Sequence, residues 1–101
     1  MAQGMNTLDY AVLAVSNAAA GVGLSGSTPA MPAAAKRCYI TCETDAVRWR
    51  ADGTAPAATE GHVLAANDSI SFTGANYRQL MEQILFIRVT GDAALKITYF
   101  D

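Results

Sequence analysis

The chain has 101 residues and a mass of 10.6 kDa, enough for one thin core and too little for two. Hydrophobic residues make up 51% and charged residues 16%, against about 25% charged in ordinary soluble domains, so the composition argues for a folded module and against disorder. With 7 Lys plus Arg against 9 Asp plus Glu, the net charge is −2; no basic field exists to hold a polyanion, and nucleic acid is not an expected partner.

The opening residues, Met1 to Asn6, carry no positive charge, so no signal peptide is expected. Residues 1–7 read as a loose N-terminal arm. The apolar run Leu8 to Val15 suits a short buried strand or a helix start equally well. The apolar-rich stretch Ala11 to Leu24 is interrupted by Ser16, Asn17 and glycine, and falls short of the ~20 residues of a membrane helix. No membrane partner is expected. Gly21 to Ala35, rich in Gly, Ala and Ser and carrying Pro29 and Pro32, reads as an extended strap without packed structure, the kind of segment that makes contacts.

From Arg37 the pattern changes to period two. Arg37 to Glu43 predicts a strand with Cys38, Ile40 and Cys42 on one side and Arg37, Tyr39 and Thr41 on the other. On a strand the two cysteines lie too far apart to bond, about 13 Å at ~3.3 Å per residue, so both are read as small core thiols. Ala46 to Ala51 predicts a second strand, Val47 and Trp49 inward and Arg48 and Arg50 outward. Thr44-Asp45 is short enough for a tight hairpin between the two, which would bring Arg37, Arg48 and Arg50 onto one sheet face as a patch for an anionic or sugar partner. The bland alternative pairs these arginines with Glu43, Asp45 or Asp52 and leaves Trp49 in the core.

Asp52-Gly53 marks a turn, Thr54 to Gly61 a loop, His62 to Leu64 an apolar touch, and Ala66-Asn67-Asp68 another turn. Ser69 to Thr73 alternates with Ile70 and Phe72 inward. Ala75 to Gln83 is the one helical candidate, with Asn76 as its cap. Leu85 to Thr90 is a nearly continuous apolar strand, and adjacent Phe86 and Ile87 offer a second apolar face. Leu95, Ile97 and Tyr99 alternate with Lys96, Thr98 and Phe100 in the last strand. Short strands punctuated by Gly, Pro, Asn and Asp predict an all-β domain spanning 1–101, a small antiparallel β-sandwich or jelly-roll-like fold with at most one short helix.

One histidine cannot build a Ser-His-acid or Cys-His arrangement. Glu60-Gly61-His62 reads as surface decoration, and the glycines of Gly21 to Gly26 do not follow a βα unit as a dinucleotide site requires. No catalytic residue, cofactor or metal is expected.

The run from Tyr39 to Pro56, containing V-R-x-R-x-D-G-T-x-P as Val47 to Pro56, continues through Glu60 to Leu64, Phe86 to Val89 and Leu95 to Tyr99. Over roughly residues 36–101 it resembles small auxiliary virion proteins of tailed bacteriophages. That resemblance implies a non-enzymatic structural protein, a capsid decoration or cement protein made in the host cytoplasm and carried on the capsid surface. Its implied partners are the major capsid protein and further copies of itself, with the oligomeric state open. The alternatives are a head–tail or tail-fibre component, and a carbohydrate-binding β-sandwich accessory module, since a shorter form of the motif also resembles modules appended to glycoside hydrolases. The expected partner-contact residues are Arg37, Tyr39, Arg48, Arg50, Pro29 and Pro32.

Overall fold

The ambiguous run near the N-terminus is a strand, β1 (Thr7–Val15). Ala11, Leu13 and Val15 are buried while Tyr10 and Ala14 are exposed, the alternation of a strand with one face on a core. The computed structural model describes residues 6–101; of the expected arm, residues 1–5 lie outside that range, whereas Asn6 and Thr7 belong to the fold. Asn6 donates to both carboxylate oxygens of Asp101, at 3.1 and 3.2 Å, and accepts from the Asp101 N–H, tying the first strand to the last. These bonds from the Asn6 side chain and backbone hold the Asp101 carboxyl below its usual range.

Seven strands follow: β2 (Val22–Gly23), β3 (Arg37–Glu43), β4 (Val47–Arg50), β5 (His62–Leu64), β6 (Ser69–Phe72), β7 (Leu85–Arg88) and β8 (Ala93–Phe100). Sheet A has the order β1-β8-β3-β6 and sheet B the order β2-β7-β4-β5, all neighbours antiparallel. The pairs β4·β5, β3·β6, β2·β7 and β1·β8 nest one outside the next. The chain is therefore one long hairpin, rolled until β8 also meets β3 and β7 also meets β4. This is the jelly-roll arrangement of an eight-stranded sandwich, and it agrees with the all-β expectation. Leu13, Val15, Ile40, Val47, Phe86, Leu95, Ile97 and Tyr99 fill the space between the sheets.

The one α-helix among the described residues, α1 (Arg78–Gln83), starts later than expected, but Asn76 does reach its first turn, its Oδ1 accepting from the Arg78 N–H at 2.9 Å. Met81 and Ile84 point into the core.

The expected strap is a packed part of the fold. It contains β2, a 3-10 turn (Leu24–Gly26), and buried Leu24, Ser27 and Ala35. Thr28 exchanges two backbone hydrogen bonds with Val12, at 2.8 and 3.0 Å, so it covers part of the open edge of β1. Arg78 donates to the carbonyls of Pro32 and Ala35 at 2.8 and 3.0 Å. The segment packs because its small residues let the backbone lie close to β1 and α1, and these partners satisfy its polar groups.

Tyr99 ties the strap to β8. Its hydroxyl lies 2.8 Å from Ser27 Oγ, which in turn lies 2.8 Å from the carbonyls of Leu24 and Pro29. Tyr99→Phe is therefore expected to cost about 1–2 kcal/mol by opening this buried network, with faster amide exchange at Ser27 and Thr28 than in β3 or β8. Unchanged exchange in the strap would show that the network does not hold it.

Cys38 and Cys42 are free and buried on the inner face of β3, as read from the sequence. Burial pushes the Cys38 thiol up to about 12 from 9.0, and the Tyr99 phenol up to about 12 from 10.0. Both folded values exceed the unfolded ones. The stability they contribute is thus fully present below about pH 9 and is lost as the pH climbs toward about 12. Urea midpoints are expected to hold steady up to about pH 9 and then fall, with both thiols closed to a soluble thiol reagent until the chain unfolds. A midpoint that rises above pH 9 would contradict this.

Candidate functional site

The structure divides the six expected contact residues among three places. β3 and β4 are not a hairpin: β3 pairs with β6 and β8 in sheet A, and β4 with β5 and β7 in sheet B. Thr44, at φ 80°, begins a corner that carries the chain from one sheet to the other. Arg37 therefore does not share a face with Arg48 and Arg50, and the three-guanidinium patch does not form.

Each arginine is also engaged. Arg37 donates to the carbonyl oxygen of Asp101. Arg48 donates through Nε to the Ala58 carbonyl at 2.9 Å and through Nη1 to the Gly61 carbonyl at 2.7 Å, anchoring the β4–β5 loop. Arg50 grips Asp52 with two parallel bonds, Nε to Oδ1 at 3.1 Å and Nη2 to Oδ2. That pairing raises the Arg50 guanidinium and lowers the Asp52 carboxyl, which also accepts from the Thr54 N–H. The pairing of Arg50 with Asp52 was the bland expectation. Pro29 is exposed and Pro32 half-buried, both on the strap.

Among the expected residues on the two sheets, Tyr39 is the exposed one. It lies on the outer face of sheet A, in a row that register places as Tyr10, Thr98, Tyr39 and Ser71 across β1, β8, β3 and β6. Tyr10 is 56% and Tyr39 43% exposed. The next row holds Val12, Lys96, Thr41 and Ser69, and beyond it stand Ala14, Ala94 and Glu43. The charges of Lys96 and Glu43 lie 3.8 Å apart and offset each other. On the other side of the tyrosine row stand Thr7, Phe100 and Arg37, so the result is a broad, sparsely charged face with two tyrosines near its middle.

Tyr10 was missed because its strand was read as ambiguous. Once Ala11, Leu13 and Val15 are taken as inward, the alternation alone puts Tyr10 outward.

Sheet B differs. Ile87 points outward from β7 opposite Arg48, yet is only 7% exposed, and the nearby Pro56 of the β4–β5 loop is buried. Phe86 faces the core, so the Phe86-Ile87 pair offers no second open apolar surface.

Sheet B does carry a groove at the end of β4 and β5. Trp49, Arg50, Ala51, Asp52, Glu60, Gly61 and His62 line a volume of about 460 Å³. Trp49 and His62 are register partners with ring centroids 4.7 Å apart and planes tilted by 37°. Trp49 also meets Phe72 edge-on at 6.1 Å, and is half-buried at the edge of the core it was expected to fill. Gly61 adopts φ 127°, and an added Cβ would stand 3.1 Å from the Trp49 carbonyl oxygen and from Pro56. Glycine is what allows the loop to close on β4 there. Among the described residues no group of three His, Cys, Asp or Glu side chains is placed to hold a metal ion, and no helix is long and apolar enough to cross a membrane. Comparison with protein-family models, curated proteins and solved structures finds no match for this chain.

Proposed function

We propose that this protein is a non-enzymatic structural component of a tailed-phage virion, a decoration or cement protein that binds the outside of the head and stiffens the shell. The observation that carries this reading is the outer face of sheet A, where Tyr10 and Tyr39 stand exposed among uncharged neighbours, with Lys96 and Glu43 paired and Arg37 held on the Asp101 carbonyl. Tyrosine supplies large, stiff contact area with a polar tip, and depletion of unpaired charge is what distinguishes the centre of a protein–protein interface. The resemblance across residues 36–101 supports the same reading.

The size of the face fits the mechanism. Four strands at ~4.8 Å spacing, with the longest rising ~3.3 Å per residue, present roughly 500 Å². That is below the ~800 Å² per partner of a standard stable interface, so one copy on one site binds weakly. Repetition over a shell, with one copy bridging adjoining capsid subunits, makes the attachment multivalent and converts weak contacts into firm clamping. The expected partners are the major capsid protein and neighbouring copies of this chain; the expected location is the virion surface.

Co-sedimentation of the purified protein with expanded empty heads tests the reading. Saturation at a fixed copy number per capsomer is the expected result. Absence from heads overturns it, and capture by tails or connectors alone would move the protein to the head–tail junction or tail.

A further inference from the structure

The aromatic pair Trp49 and His62 lies two register positions beyond Val47 and Leu64, the next pair on the same face, where the core ends: Val47 and Leu64 are buried, Trp49 is half-buried and His62 exposed. The pair therefore forms a shelf at the mouth of the sandwich. Its groove of about 460 Å³ falls within the range of small-molecule sites, about 300–1,000 Å³.

The polar rim narrows the ligand class. Arg50 uses Nε and Nη2 on Asp52, leaving Nη1 without a protein partner among the described residues. The Glu60 carboxylate likewise has no hydrogen bond or ion pair among them. Two carboxylates against one guanidinium disfavour phosphate and carboxylate ligands. A wholly apolar ligand would strip water from three charged groups and return nothing. The groove matches a ring with C–H bonds on its faces and hydroxyls around its edge: the faces pack on aromatic rings, and the hydroxyls serve as donors and acceptors at once.

We infer that the groove is a saccharide site for one or two neutral or aminated pyranose rings. His62 and Trp49 provide the stacking shelf, Glu60 and Asp52 accept from sugar hydroxyls, and Arg50 Nη1 donates to one. The site belongs to sheet B, whereas the proposed shell contact uses the outer face of sheet A. A copy docked through sheet A keeps this groove open, and either reading can fail without the other.

Trp49 is the only tryptophan, so its emission reports on this groove alone. The full chain would be titrated with disaccharides of glucose, mannose, galactose and N-acetylglucosamine, and with glucosamine, using sialyllactose and glucose 6-phosphate as anionic comparisons. Amide chemical shifts of Asp52, Gly61 and His62 serve as a second readout. At least one neutral or amino sugar is expected to saturate with a Kd of about 1 mM or tighter. His62→Ala and Glu60→Gln are each expected to weaken it by about tenfold or more while the thermal midpoint is retained. Stronger binding to an immobilised polysaccharide than to its own disaccharide would assign a polymeric glycan, and equal binding a free sugar; both support the site. No response to any neutral or amino sugar, binding unaltered in both variants, or preference for the anionic sugars would overturn it.

Discussion

Phe86→Ala is expected to remove about 3–5 kcal/mol of stability, the range for truncating a fully buried aromatic. Phe86 is 0% exposed and occupies the inner face of β7, with Val22 of β2 on one side and Trp49 of β4 on the other. Its ring is therefore shared by three of the four strands of sheet B. β2 is only two residues long and is held to the sheet by β7 alone, so a cavity at Phe86 also loosens the strap that continues from it. In a domain of this size each kcal/mol moves the thermal midpoint by roughly 4–8 °C, and total stabilities are about 5–15 kcal/mol. The variant should melt tens of degrees lower, read by circular dichroism and by urea midpoint. A loss under about 1 kcal/mol would mean that the site collapses around the missing ring, contrary to close packing.

The other large effect is on binding. Tyr10→Ser combined with Tyr39→Ser is expected to leave the melting temperature nearly unchanged, because both rings are largely outside the core, while strongly reducing attachment to heads. Central tyrosines of an interface commonly contribute 2 kcal/mol or more each, about thirtyfold in affinity. Their effects will not add simply, since both flank Thr98 and would touch the same partner surface. Val63→Ser is the matched comparison: Val63 is 54% exposed but lies on sheet B, and its loss should leave head binding intact. Equal loss in both variants would mean that sheet A is not the contact face.

Much of the secondary structure was legible because side-chain alternation is a local property. Cys38, Ile40 and Cys42 against Arg37, Tyr39 and Thr41, and Leu95, Ile97 and Tyr99 against Lys96, Thr98 and Phe100, follow the strand period, and burial falls on the expected side of each. Asn67 at φ 72° and Gly53 at φ 85° mark turns that residue type alone located. The helix starts three residues later than expected, at a point set by distant contacts: Tyr77, its N-cap, gives its N–H to the Lys36 carbonyl at 2.7 Å and packs on Phe72, ring centroids 5.6 Å apart.

Sequence by itself thus determined that this is a one-core, all-β, weakly charged domain, which faces of β3 and β8 are buried, and that both thiols face the core. Tertiary structure alone decided the jelly-roll pairing, the separation of Arg37 from Arg48 and Arg50, the packing of the strap, and the two surfaces left open. The physical reason is range. A strand's two faces follow from neighbouring residues, whereas pairing β1 with β8 joins opposite ends of the chain, and its free energy comes from the shared core rather than from either segment. Thr44-Asp45 illustrates the limit: two residues compatible with a hairpin turn a corner instead, and Val47 is buried between β5 and β7, partners that lie far from it in sequence.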